Sequence, residues 1–170
     1  MVDLRAPDAP AGVADLNTGP RLPLPALLGL ASRVVNEAVL HGLAAAGFPG
    51  IRSVHGYTFS LLAVRGGATG VEIAAHLGMT KQSAKVLVDQ LEAGGYVVRT
   101  HTPEDRRARL VQLTDRGWAC ISAGTRLWAE TEASLQAAVG EEAVGATRHV
   151  LEQLVRTHSP RPRGRDSPPR

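Results

Sequence analysis

The sequence predicts a mainly α-helical fold carrying one small β-hairpin, and three observations lead there. Apolar residues recur at three- and four-residue steps through most of residues 25–158. Two short helical stretches meet at Gly78, the kind of junction that joins helices at an angle. Two runs rich in β-branched and aromatic residues, Tyr96 to Thr100 and Leu110 to Leu113, then flank a polar loop.

Residues 1–21 hold Pro7, Pro10 and Pro20 among Ala, Gly and Asp without periodicity, and are expected to be a flexible arm. From Pro25 to Ala46 the pattern turns helical, with Leu27, Leu28, Ala31, Val34, Val35, Ala38, Val39, Gly42 and Leu43 on one stripe. Gly47, Pro49 and Gly50 break that helix. A second runs from Ile51 to Val64, with Val54, Thr58, Leu61 and Leu62 facing inward, before Gly66 and Gly67 turn the chain.

The third helix, Val71 to Leu77, is expected to bury Val71, Ala74 and Leu77, and Gly78 stops it. Thr80 is an N-cap for the fourth, whose buried face is Ala84, Leu87, Val88 and Leu91. The opposite face carries Lys81, Gln82 and Lys85. Two helices joined by a short glycine-containing turn make a helix-turn-helix, and the second is shaped to enter a major groove. Its first turns, with Thr80, Lys81, Gln82, Ser83 and Lys85, would meet the duplex where the helix dipole is positive. Gly94 and Gly95 end this helix and the hairpin follows. Its connection, His101 to Arg109, is longer than a tight turn requires, and bears Pro103, Glu104, Asp105, Arg106 and Arg107. Such a loop beside a recognition helix is a wing. Its arginines suit a narrow minor groove, with Asp105 placed to hold Arg107 by a charge-assisted contact.

Thr114 caps a long helix drawn from Asp115 to about Val139, with Trp118, Ile121, Thr125, Trp128, Glu132, Leu135 and Val139 along one stripe. Gly140 stops it. Glu141 to His158 forms a last helix striped by Val144, Thr147, Leu151, Leu154 and Val155, and 159–170 is a basic, Pro-rich tail expected to be disordered.

The segments TKQSAKVLVDQLEAGGYVVR and PEDRRARLVQLT, with the D-x-R core at Asp105 and Arg107, and the Thr114-x-x-Gly117 helix start together resemble the MarR family of winged-helix transcriptional regulators. The likeness covers roughly residues 22–157 in helix order, with its specific motifs between Val71 and Gly117. It implies that Arg107 enters the minor groove and that Thr80 to Lys85 reads the major groove; Arg106 and Arg109 are further DNA-binding candidates, and Asp105 is the wing support. It further implies an organisation in which 51–114 is the winged helix-turn-helix and 22–50 and 115–158 are dimerisation helices. His55 and Trp118 would then be candidates for lining a small-effector pocket, or for plain packing.

Apolar stripes at both ends of the chain lack a partner within one copy, so a homodimer is expected, reading an inverted repeat with half-sites about 10 bp apart. The net charge of +3 and sequence pI of about 9.6 are weak evidence for nucleic acid. Five arginines against one aspartate lie in residues 156–170, which leaves the rest of the chain near −1. Local placement argues better: Lys81, Lys85, Arg99, Arg106, Arg107 and Arg109 gather around the motif, partly offset by Glu104 and Asp105.

The six histidines have no ligand spacing, so no metal or other cofactor is expected. No nucleophile stands beside a base and no phosphate loop occurs, so the chain is not expected to be an enzyme. No apolar run reaches the ~20 residues of a membrane span and no signal pattern opens the chain, so a cytoplasmic location is expected. Cys120 fits a small core residue better than an oxidant sensor, because the reactive cysteine of oxidant-sensing MarR proteins lies in the first helix. Two alternatives to a ligand-responsive DNA-binding repressor stay open: a winged-helix interaction module without DNA, and a cysteine-based redox regulator.

Overall fold

The computed structural model describes residues 22–101 and 109–158. Helix α1, Leu24–Ala45, follows Pro23 and carries Pro25 in its first turn, where a missing N–H costs nothing. Helix α2, Ser53–Arg65, buries His55, Thr58, Phe59, Leu61 and Leu62, and ends at Gly66 with φ of 72°. A two-residue strand β1, Ala68–Thr69, leads into α3, Gly70–Leu77. Here a capping box closes the helix start: Thr69 Oγ1 accepts from Glu72 N at 3.3 Å, and Glu72 Oε2 accepts from Thr69 N at 2.8 Å. Those hydrogen bonds, from the Thr69 backbone first, lower the pKa of Glu72. Helix α4, Lys81–Ala93, begins three residues beyond Gly78, whose φ is 63°.

Strands β2, Val97–His101, and β3, Arg109–Leu113, pair antiparallel with Val97 opposite Leu113 and His101 opposite Arg109. The hairpin is therefore present but longer than expected, since His101 and Arg109 belong to its strands. It is also part of a three-stranded sheet in the order β1-β3-β2, because Ala68 pairs with Val111 and Thr69 with Leu110. Two residues after a pair of glycines give too short a run for sequence periodicity to register as a strand.

The α3 face differs as well. Val71 is 56% exposed, whereas Ile73 is fully buried beside Ala74. Eight residues leave the phase of a 3.6-residue repeat ambiguous, and packing against α2 and the sheet selects Ile73.

Helix α5, Asp115–Val139, starts where the sequence places it, held from both directions by Thr114. Thr114 Oγ1 donates to Gly95 O at 2.6 Å and accepts from Gly117 N at 3.2 Å, while its backbone N donates to Tyr96 O at 3.1 Å. One residue thereby ties the base of the hairpin to the start of the helix. Next to it the Arg116 guanidinium stands 5.4 Å from the Phe48 ring centre and 4.9 Å from that of Tyr96, and donates to Gly47 O at 2.9 Å. This secures the α1–α2 connection to the same corner.

The chain divides into two compact units, Met1–Leu127 and Trp128–Arg170. In the first, the core joins Val39 and Leu43 of α1 to Phe59 and Leu62 of α2, Ile73 and Ala74 of α3, the inner face of α4, Tyr96, Val97, Val111 and Cys120. Of the α1 stripe only Val39 and Leu43 are buried; Leu24, Leu27 and Val34 are 61%, 41% and 61% exposed. The second unit holds the end of α5 and helix α6, Glu141–His158, with Arg148 Nη2 2.5 Å from Glu132 Oε1.

Two glycines of α5 test this packing in opposite directions. A Cβ on Gly117 would lie 2.3 Å from the Tyr96 carbonyl oxygen, a backbone atom that cannot swing aside. Gly117→Ala should destabilise the protein by roughly 1 to 3 kcal/mol. Gly124 has nothing within 4 Å of that position, so Gly124→Ala should stabilise by about 0.5 to 1 kcal/mol through helix propensity alone. Urea unfolding midpoints of the two variants report both.

Candidate nucleic-acid interface

Helix α4 is oriented by its buried stripe. Ala84, Leu87, Val88 and Leu91 are each no more than 4% exposed, which turns Lys81, Gln82, Lys85 and Val86 to the surface. At its start, Thr80 Oγ1 accepts from Ser83 N at 3.1 Å, and the two hydroxyls lie 2.9 Å apart. Thr80 and Ser83 are thus engaged in capping one another. Further along, the ions of α4 are tied to the sheet. Arg99 of β2 bridges Asp89, at 2.5 Å, and Glu92, and Asp89 also accepts from Lys85 Nζ at 2.7 Å. Hydrogen bonds from Lys85 and then Arg99 lower the Asp89 pKa, so it stays ionised at neutral pH.

The sequence reading is sharpened here in one respect. Arg99 counted there toward the positive field around the motif, yet its side chain is 18% exposed and spent on two carboxylates. It is a strut between hairpin and recognition helix. Lys81 and Gln82, by contrast, are exposed, and among the described residues their side chains have no hydrogen bond or ion pair. Arg109 is exposed on β3. Asp105, Arg106 and Arg107 lie outside the described residues, as does the expected contact between Asp105 and Arg107.

Two features beside α4 went unassigned in the sequence. Val86 is 46% exposed, one turn after Gln82 on the outer face, and Arg52 Nη2 donates to Gln90 Oε1 at 2.6 Å. The first was legible as an apolar residue off the buried stripe; the second joins positions 38 apart and carries no local signal. An open groove of about 360 Å³ there is lined by apolar Val54, Met79, Val86 and Leu87 and by polar side chains that include Arg52 and Gln90.

Neither His55 nor Trp118 lines that groove. Trp118 is half exposed on α5, and His55 is buried on α2. Both imidazole nitrogens of His55 face donors: Arg52 N donates to Nδ1 at 3.2 Å, and Arg52 Nη2 stands 3.2 Å from Nε2. A protonated ring would have no acceptor opposite it. Burial first, and the Arg52 charge second, lower its pKa to about 4. Cys120 is 2% exposed, and burial raises its thiol pKa against the opposing pull of Arg116, which disfavours the reactive thiolate. Among the described residues no group of His, Cys, Asp or Glu could hold a metal ion, and no helix is long and apolar enough to cross a membrane.

A helix pair and a three-stranded sheet, with a helix start that bears lysine and glutamine, make a winged helix-turn-helix fold. Residues 46–108, a little over a third of the chain, match the family model described as the MarR family. Among solved structures, that of the transcriptional repressor CouR bound to a 23-mer DNA duplex is 29% identical, with a TM-score of 0.64 over 78% of this chain and 92% of that one. MepR, a transcription regulator of the Staphylococcus aureus multidrug efflux pump MepA, shares the fold at 21% identity and a TM-score of 0.65, over 80% of this chain and 98% of its own. A curated Bacillus subtilis (strain 168) protein, the HTH-type transcriptional regulator YfiV, is 43% identical over 44 residues. That match spans 26% of this chain and only 28% of the relative's length.

The buried imidazole gives stability a pH dependence of defined sign. With a folded pKa of about 4 against 6.5 for the free side chain, the unfolded chain binds more protons between those values. Stability from this group is complete above pH 6.5 and falls as the pH drops toward 4, by about 3 kcal/mol in all. His55→Gln should flatten the dependence over that window in urea titrations run at successive pH values.

Proposed function

We propose that this chain is a homodimeric, sequence-specific DNA-binding transcriptional regulator, a repressor whose grip on an inverted-repeat operator is modulated by a small-molecule effector. The observation that carries the reading is the start of α4, where a threonine-capped helix presents Lys81 and Gln82 to solvent with no partner among the described residues. Free N–H groups and the positive end of the helix dipole favour phosphate there. Lys85 joins them once its pair with Asp89 opens, a small step for a pair so exposed to water. Arg109 lies on β3, and arginine, which the sequence also carries at 106 and 107, suits a narrow minor groove. CouR, with its bound duplex, supports DNA as the partner. DNA binding in turn favours a cytoplasmic location.

Dimerisation is supported by apolar side chains left uncovered in each unit by itself. Trp118 and Leu27 are exposed in the first, and Trp128, Leu135, Val150 and Val155 in the second. In a twofold pair the spacing of the two α4 helices sets whether both fit successive major grooves. An effector acting between reading lobe and dimer helices, near His55 or Trp118, would regulate by altering that spacing.

DNA binding of this kind should weaken steeply with added salt as counterions are released. Arg107→Ala should cost roughly 1 to 3 kcal/mol of affinity. Lys81→Ala should reduce the slope of log affinity against log salt by about one unit. Fluorescence anisotropy on a selected duplex measures all three, and a salt-insensitive interaction indifferent to Arg107 would instead support a protein-binding module. Sedimentation equilibrium should give twice the 17.9 kDa chain mass, and a monomer at micromolar concentration would contradict the dimer.

A further inference from the structure

The outer face of α4 presents, in order, Lys81, Gln82, Lys85, Val86, Asp89 and Gln90, and most of these side chains are already committed. Lys85 is paired with Asp89 at 2.7 Å, Asp89 with Arg99 at 2.5 Å, and Gln90 with Arg52 at 2.6 Å. Thr80 and Ser83 cap the helix. What remains on that face is one cation, one amide and one branched apolar side chain. Lys81, the first residue of the helix, is a point charge suited to phosphate.

We propose that Gln82 and Val86 are the base-selecting residues of each copy, Gln82 taking an adenine and Val86 the C5-methyl of a thymine. The inference rests on the DNA-binding reading above. Glutamine offers one acceptor and two donors in the arrangement that matches adenine N6 and N7, and an apolar side chain in the major groove distinguishes thymine by its methyl group alone. Val86 is 46% exposed and lines the groove with Val54, Met79 and Leu87, apolar side chains against which the methyl leaves water. The two side chains are four residues apart on one helix, about 6 Å along its axis. That rise spans nearly two base-pair steps of about 3.4 Å. Each half-site should therefore carry an adenine and a thymine one or two base pairs apart at its centre.

The test begins with duplexes selected from a random pool by the full-length protein, followed by replacing each consensus thymine with deoxyuridine, which removes the methyl and nothing else. One position per half-site should weaken wild-type binding about fourfold, the equivalent of one buried methyl group. Val86→Ala should bind thymine and deoxyuridine duplexes equally, with an unchanged thermal midpoint because the side chain is exposed. In a repeat selection Gln82→Ala should lose the adenine preference while its salt slope stays as in wild type. If Val86→Ala keeps the full deoxyuridine penalty, or Gln82→Ala selects the same half-site as wild type, this assignment is wrong and DNA binding stands. If no duplex is bound even in low salt, both readings fall together.

Discussion

Burial of Ala84, Leu87, Val88 and Leu91 is the constraint from which the rest of the reading lobe follows. Those four side chains, with Leu62 and Ile73 against them in one core, leave α4 a single rotational setting. Turning the helix by one residue, about 100°, would bury Lys85 and expose Leu87, an exchange that costs several kcal/mol in desolvated charge and exposed hydrocarbon. The outer face is therefore dictated by the inner one. Recognition chemistry is set by packing that never touches a ligand.

Capping and ion pairing then convert a correctly rotated helix into a rigid one. Thr69, Thr80 and Thr114 each accept a backbone N–H three residues ahead, at the starts of α3, α4 and α5. Each such cap contributes about 1 kcal/mol, and together they fix where the three helices begin relative to the sheet. Arg99 extends the same logic across elements. It reaches from β2 to two carboxylates of α4, so that strand and the recognition helix are held together. Arg52 does likewise from the start of α2 through Gln90, and its own charge helps keep His55 neutral. The residues spent on this scaffold are as polar as those offered to a partner, and only their contacts tell the two sets apart.

Part of the apolar surface left outside the core falls toward the two ends of the sequence. Leu24, Leu27 and Val34 of α1 and Val150, Leu154 and Val155 of α6 are all well exposed, at helical spacing. Stripes so long on helices of 22 and 18 residues exceed the scattered apolar residues ordinary for a surface. The pairing proposed for them would place two reading lobes under one control. The glycine at 42 suits that region in another way: a Cβ there would meet the Leu127 side chain at 2.6 Å, so α1 and α5 approach closely at this point.

Much of this was legible in the sequence, for local reasons. Thr80 and Gly78 bracket α4 and α3 because caps and left-handed stops are chemistry within a few residues of chain, and the bounds of α5 and α6 follow from Thr114 and Gly140 in the same way. A thirteen-residue helix repeats its buried face often enough to fix the phase of Leu87 and Leu91, whereas eight residues left Val71 and Ile73 interchangeable. The capping box at Thr69 and Glu72 also stood in the sequence as T-x-x-E and passed unread. What only tertiary structure decided are the long-range choices. Strand β1 exists because β3 offers it an edge, Arg99 faces inward because two carboxylates of another element wait there, and His55 is neutral because burial and Arg52 converge on it. Periodicity records which side of an element avoids water; which charge meets which across the fold depends on distances that no local pattern encodes.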